Sequence, residues 1–166
     1  MTVEAPRAEI DRYAALRACP LLREFTEVGI RVLAEAVEQR YVGRETYAFR
    51  AGEASTALSV IAKGTLQLVP REGGAPLADV GAGDTVGSFS LLIGGEHLLS
   101  ALAIKDVELL ELSKETFARL EKSHPRTALK LTLALAQDLA ERLREAKGPL
   151  REFLVWQISK RQAEGR

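Results

Sequence analysis

The sequence predicts a mainly β fold, a β-sandwich or jelly-roll barrel with helices on both flanks. Three observations predict it. Short apolar or alternating runs at 46–49, 58–62, 65–69, 98–104 and 107–112 have the length and period of strands. Turn signals separate them at Ala51-Gly52, Lys63-Gly64, Gly73-Gly74, Gly81 to Asp84 and Gly94-Gly95, a spacing that suits many short strands in a closed or two-layered sheet. Helical periodicity holds on either side of that block.

In chain order, the N-terminal segment 1–40 reads as helical. Ile10, Tyr13 and Leu16 set helical spacing over 7–18, and Val28, Val32, Leu33 and Val37 set it over 26–38, with Thr26 in place as an N-cap. Residues 41–112 carry the strands of the barrel. Helical spacing returns over 113–147, where Ser113 can cap a helix running to Lys122 and Pro125 fits the first turn of the next. One folded domain is expected, because 166 residues with 46% hydrophobic content suffice for a single core of ordinary size.

The helix over 126–147 has more apolar surface than one core needs. Leu129, Leu133, Ala136, Ala140 and Leu143 form one stripe, and Ala128, Leu131, Leu135 and Leu139 form a second beside it. An amphipathic helix needs a stripe only about 100° wide to face its own core. The surplus is expected to meet a twin helix in a homodimer, C2 dimers being the commonest oligomers, or else another part of the same chain. Gly148-Pro149 ends the helix. The tail 148–166 reads as one short helical segment, which either folds back on the barrel or dimer partner or offers Phe153 and Trp156 as an aromatic contact to another protein.

Composition excludes several functions. Twenty-three Lys plus Arg balance twenty-three Asp plus Glu, so no basic field draws the chain to nucleic acid or to an anionic membrane. Direct DNA binding is not expected, since the sequence after 147 is too short for a helix-turn-helix unit with its wing. No apolar run approaches the roughly 20 residues of a membrane-spanning helix. Glu4, Arg7 and Glu9 stand where a signal peptide would have an apolar core, and the lone Cys19 makes no internal disulfide, so a cytoplasmic location is expected. Two distant histidines and one cysteine make no metal or haem ligand set, and no nucleophile, base and orienting acid come together. The expectation is therefore a non-enzyme without cofactor or metal, with Cys19 a small core residue and His124 a cap at a helix junction.

Residues 81–101 have the outline of a loop that cradles a phosphate. Glycines at 81, 83, 87, 94 and 95 permit tight turns, and 89–93 can form a short helix whose first N–H groups would face an anion. The loop lacks a cation. No Arg or Lys lies between Arg71 and Lys105, although a phosphate removed from water needs its charge paired.

This stretch resembles the phosphate-binding cassette of cyclic-nucleotide-binding domains in the catabolite-activator and anaerobic-regulator (Crp/Fnr-like) family. There the cassette reads roughly Gly-Glu, a short apolar helix, then Arg-Ser/Thr-Ala, with the Glu on the ribose hydroxyl and the Arg on the cyclic phosphate. Here Val86-Gly87 matches, Ser88 stands in the Glu position, and Leu99-Ser100-Ala101 stands where Arg-Ser-Ala would be. The resemblance extends over about 12–147. Leu16, Pro20-Leu21-Leu22 and Phe25 are similar to the opening helix and turn, Gly52-Glu53 and 58–64 to the strand-turn-strand pattern, Gly83-Asp84 to the turn before the cassette, and Phe117, Leu120 and His124-Pro125 to the helices after the barrel.

The resemblance implies a cyclic-nucleotide-binding-type jelly roll with N-terminal helices and a long C-terminal helix. It also implies a degenerate pocket made from Gly87, Ser88, Phe89, Ser90, Leu91, His97, Leu99, Ser100 and Ala101. Cyclic nucleotide binding is expected to be absent or weak. Leucine in the arginine position favours an interaction module that acts through dimerisation and protein partners. The alternative is a small-molecule or nucleotide sensor of altered specificity, in which Thr85, Ser88, Ser90 and Ser100 bond the ligand over a floor of Leu98, Leu99 and Leu102. His97 either replaces part of the missing charge or is an exposed loop residue. An open polar cavity under 87–101 would favour the sensor, and one closed by Leu99 the module.

Overall fold

The computed structural model describes residues 9–70 and 72–146, together with Gly148, Glu152 and Ser159. Its first helix, α1 (Arg12–Arg17), is shorter than the spacing of Ile10, Tyr13 and Leu16 predicts. Asp11 stops it from extending backwards by taking the N-cap position, where its carboxylate accepts from the Ala14 N–H. A 3-10 turn at Pro20–Leu22 leads to α2 (Glu27–Ala36), whose Thr26 cap accepts from the Gly29 N–H as expected. Two arginines of α1 fasten this unit, Arg12 donating to the Val37 carbonyl at 2.8 Å and Arg17 to the Phe25 carbonyl at 2.7 Å.

The helix expected over 26–38 ends early. Val37 is extended, and β1 (Glu38–Val42) begins at once because its backbone pairs antiparallel with a later strand. β2 (Tyr47–Phe49), β3 (Ala57–Lys63), β4 (Thr65–Val69), β5 (Ala78–Gly81) and β6 (Thr85–Val86) follow. A five-residue helix, α3 (Ser88–Leu92), interrupts the strands before β7 (Ser100–Ala103) and β8 (Val107–Ser113). α4 (Lys114–Ser123), capped by the Ser113 hydroxyl on the Thr116 N–H, and the long α5 (Pro125–Glu145) follow. His124 joins these last two helices, but its side chain meets the Ser123 hydroxyl at 3.0 Å and caps nothing.

Two four-stranded antiparallel sheets result, in the orders β1-β8-β3-β6 and β2-β7-β4-β5. This is the jelly-roll architecture. Strand periodicity divides the core between two layers. On β8, Val107 and Leu109 face the second sheet and pack with Ile61, Leu66 and Ala103, whereas Leu110 and Leu112 face the helices and pack with Leu16, Leu33 and Leu131. Both faces of β8 therefore carry buried residues, and Glu108 and Glu111, only partly buried, interrupt its apolar run. Cys19 lies in the helical layer at 1% exposure, and burial pushes its thiol above the ordinary value.

The turn between β3 and β4 depends on Gly64. Its φ is +92°, and a Cβ there would stand 2.2 Å from the Asp106 carbonyl oxygen just before β8. Gly64→Ala is expected to lower stability by at least ~2 kcal/mol, because a left-handed penalty of about 1–2 kcal/mol adds to a forced backbone shift. Denaturant unfolding measures the loss, and a midpoint equal to that of the unmodified chain would contradict this account.

Candidate functional site

The cassette begins at a residue that only glycine can fill. Gly87 has φ +73°, and a Cβ there would lie 2.3 Å from the carbonyl oxygen of Ala57 on β3. This close approach pins the start of α3 to the sheet, where the Ser90 N–H donates to the Gly87 carbonyl at 2.9 Å. Ser90 is 1% exposed, and its hydroxyl pairs with that of Ser55 on the facing loop. The second part of the cassette, 94–97, is tied to the same loop. Ser55 N–H donates to the Gly95 carbonyl, His97 N–H to the Glu53 carbonyl and Gly52 N–H to the His97 carbonyl, each at 2.8 Å.

Between these two anchored pieces and α5 lies an open cavity of ≈ 220 Å³. Gly87, Ser88, Phe89 and Ser90 form one side of it, and His97 and Leu99 the other. Leu99 lines the space without closing it. Phe49 and Leu68 contribute from β2 and β4, and Leu135, Asp138, Leu139 and Arg142 from α5. Most of this surface is hydrocarbon.

Three residues assigned to the pocket from sequence lie elsewhere. Leu91 packs in the helical core, and Ala101 is fully buried in the layer between the sheets. Ser100 is buried with its hydroxyl accepting the Ala51 N–H at 2.9 Å, so it holds a turn. The expected leucine floor also changes. Leu98 is 82% exposed and stands at the rim, and Leu102 alternates outward between Tyr47 and Gln67 because its neighbours Ala101 and Ala103 take the inward positions.

His97 is not an exposed loop residue. Its ring stacks on Phe49 with centroids 3.8 Å apart and planes 10° apart, and burial lowers its pKa below the ordinary histidine value despite the opposing pull of Glu53. A neutral imidazole results near pH 7, and it supplies no charge for a phosphate. Among the described residues lining the cavity, the cation is Arg142, on α5 rather than in the cassette. Sequence reasoning missed it because it belongs to a helix read only for its apolar stripes. Arg142 Nε is already bonded to Asp138 Oδ2 at 2.8 Å, one helical turn earlier.

The apolar residues of α5 divide cleanly. Ala128, Leu131 and Leu135 are buried against the helical layer, whereas Leu129, Leu133 and Leu143 are 60%, 53% and 44% exposed, and Ala136 and Ala140 lie on the same exposed face. Phe153 and Trp156 fall outside the described residues. Among the described residues no helix is long and apolar enough to cross a membrane, and no group of His, Cys, Asp and Glu could hold a metal ion.

A family model for the cyclic nucleotide-binding domain matches residues 39–124, just over half of the chain. The crystal structure of the catabolite activator protein of Thermus thermophilus is similar at a TM-score of 0.68 and 32% identity, over 82% of this chain and 62% of that one. The N-terminal domain of a Streptomyces coelicolor transcriptional regulator has a TM-score of 0.69 at 23% identity, over 81% and 98% of the two chains. In sequence, an uncharacterized NTE family protein of Mycobacterium tuberculosis is 26% identical over 153 residues, 92% of this chain but 26% of the relative. The chain thus spans about a quarter of the length of that curated relative. With two antiparallel sheets, a glycine-led helix beside the cavity and a long helix lining it, the chain belongs to the cyclic nucleotide-binding domain family, in its Crp/Fnr-like jelly-roll form.

Proposed function

We propose that the chain is a non-catalytic regulatory domain that has lost ordinary binding of cyclic AMP and cyclic GMP and senses another small molecule. The observation that carries this reading is the open cavity beside a cassette without charged anchors. By the sequence resemblance Ser88 and Leu99 stand in the Glu and Arg positions, burial lowers the pKa of His97, and Arg142 is bonded through Nε to Asp138. A cyclic phosphate entering the cavity would give up water without gaining a dedicated cation. The cavity is open, although its lining is mostly hydrocarbon rather than polar as the sensor reading expected. That openness, with Leu99 leaving the space accessible, favours the sensor over a pocket-filled interaction module.

The exposed stripe of α5 supports a homodimer. Leu129, Leu133, Ala136, Ala140 and Leu143 present one apolar face on a helix whose other face lines the cavity and the core. A second copy of α5 would cover that face, and signals would then pass to protein partners through the paired helices. The mycobacterial relative, in which the matched region is a quarter of the whole, supports a domain that works together with other protein parts.

Calorimetry tests the loss of cyclic nucleotide binding. Cyclic AMP and cyclic GMP are expected to bind no tighter than the high micromolar range, since removing a buried charge partner costs about 2–5 kcal/mol, or roughly one and a half to three and a half decades. The paired change Ser88→Glu with Leu99→Arg should raise affinity for both, and submicromolar binding by the unmodified chain would overturn the reading.

Light scattering tests the seam: Leu133→Glu with Ala140→Glu is expected to convert a dimer to monomers, because each change places a charge in an apolar contact. A monomer for the unmodified chain would remove the dimer from the proposal.

Neutral His97 has a consequence for stability. A pKa lower in the folded than in the unfolded state means that the contribution is whole above about 6.5 and is lost as pH falls through the folded value. The thermal midpoint should therefore drop more steeply between pH 7 and pH 5 in the unmodified chain than in His97→Phe, which keeps a ring on Phe49. Parallel melting profiles for the two proteins would show that His97 titrates normally.

A further inference from the structure

We infer that the cavity takes an uncharged, largely apolar molecule of one or two rings that carries a single hydrogen-bonding group. This rests on the sensor reading and names the ligand class for that site. Charge excludes the alternatives first. The ionised side chains facing the space are Glu96 at the rim and the Asp138–Arg142 pair on α5, which together leave one negative charge in excess. Arg142 is also 64% exposed at its side chain, so water screens what Asp138 does not neutralise. An anion would find no surplus positive charge to pair with, since Glu96 at the rim is exposed to water as Arg142 is, and a cation would have to bury its charge among Phe49, Leu68, Leu99, Leu135 and Leu139.

The walls provide what a neutral molecule needs. Phe49 and His97, stacked on each other, both line the space, and an aromatic or alicyclic ligand can pack against that stack. At the back, the Ser55 and Ser90 hydroxyls pair with each other. Each hydroxyl has one donor and two acceptor positions, so the accepting member of the pair keeps its own proton for a ligand oxygen. Volume sets the scale. A cavity of about 150 Å³ holds benzene, and ≈ 220 Å³ open at one end accommodates a second ring.

A matched pair of probes tests the inference. 2-Naphthol and 2-naphthoate share a ring system, and at pH 7 only the second is charged. Fluorescence titration of the full chain is expected to give 2-naphthol one site per protomer, at least ~10-fold tighter than 2-naphthoate. Leu99→Trp and, independently, Ser88→Phe should each weaken 2-naphthol by about 10-fold or more by filling the space; circular dichroism identifies any variant that fails to fold. Tighter binding of 2-naphthoate, lost in Arg142→Gln, would overturn the neutral class and leave the sensor reading in place. Binding of neither probe, or 2-naphthol binding unaffected by both folded filling variants, would overturn the class and the sensor reading together.

Discussion

The close approach of Gly87 to the carbonyl of Ala57 is the constraint on which the cavity depends. A left-handed residue there turns the chain out of β6 and into α3 with no side chain between loop and sheet. Because the two backbones touch, Ser90 reaches the Ser55 hydroxyl and Leu91 reaches the helical core. Loop 52–55 is held in turn by the hydrogen bonds to Gly95 and His97. The cavity wall is thus built by backbone contacts whose strength does not depend on a ligand being bound.

Helix α5 joins this wall to the outer surface. Its inward residues, Ala128, Leu131 and Leu135, are nearly excluded from water, and each buried leucine contributes roughly 1.5–3 kcal/mol to holding the helix on the barrel. One turn further on, Leu139 and Arg142 border the cavity, and the opposite side carries the exposed leucines. The same helix thus carries the cavity on one side and an exposed apolar face on the other. Leu135 belongs to both the core and the cavity lining, so the two regions share a wall.

Electrostatics explain why the same fold can serve different ligands. In a site partly shielded from water, a phosphate without a fixed cation loses more hydration than it regains. Burial of His97 against Phe49 lowers its pKa, so the imidazole brings no charge to the space near pH 7. The Asp138–Arg142 pair satisfies its own charges along the helix. Each of these features makes the space less suited to an anion and more suited to hydrocarbon.

Period and punctuation in the sequence sufficed for the strands whose faces are buried: 65–69 is predicted with the observed bounds, and 107–112 differs by one residue, because buried strands are written in apolar residues. The division of α5 into two stripes was legible for the same reason. β1, β5 and β6 were not, since Glu38 to Arg40 and Ala78 to Asp79 hold strand conformation through backbone pairing with β8 and β4, and pairing leaves no mark on polar side chains. Within the site, the absent charges at 88 and 99 could be read directly. Only the tertiary structure decided that Leu99 leaves the cavity open, that Ser100 and Ala101 turn away from it, and that a ring from β2 and an arginine from α5 enter it. Those outcomes depend on how elements 40 or more residues apart meet in space, which local pattern does not encode.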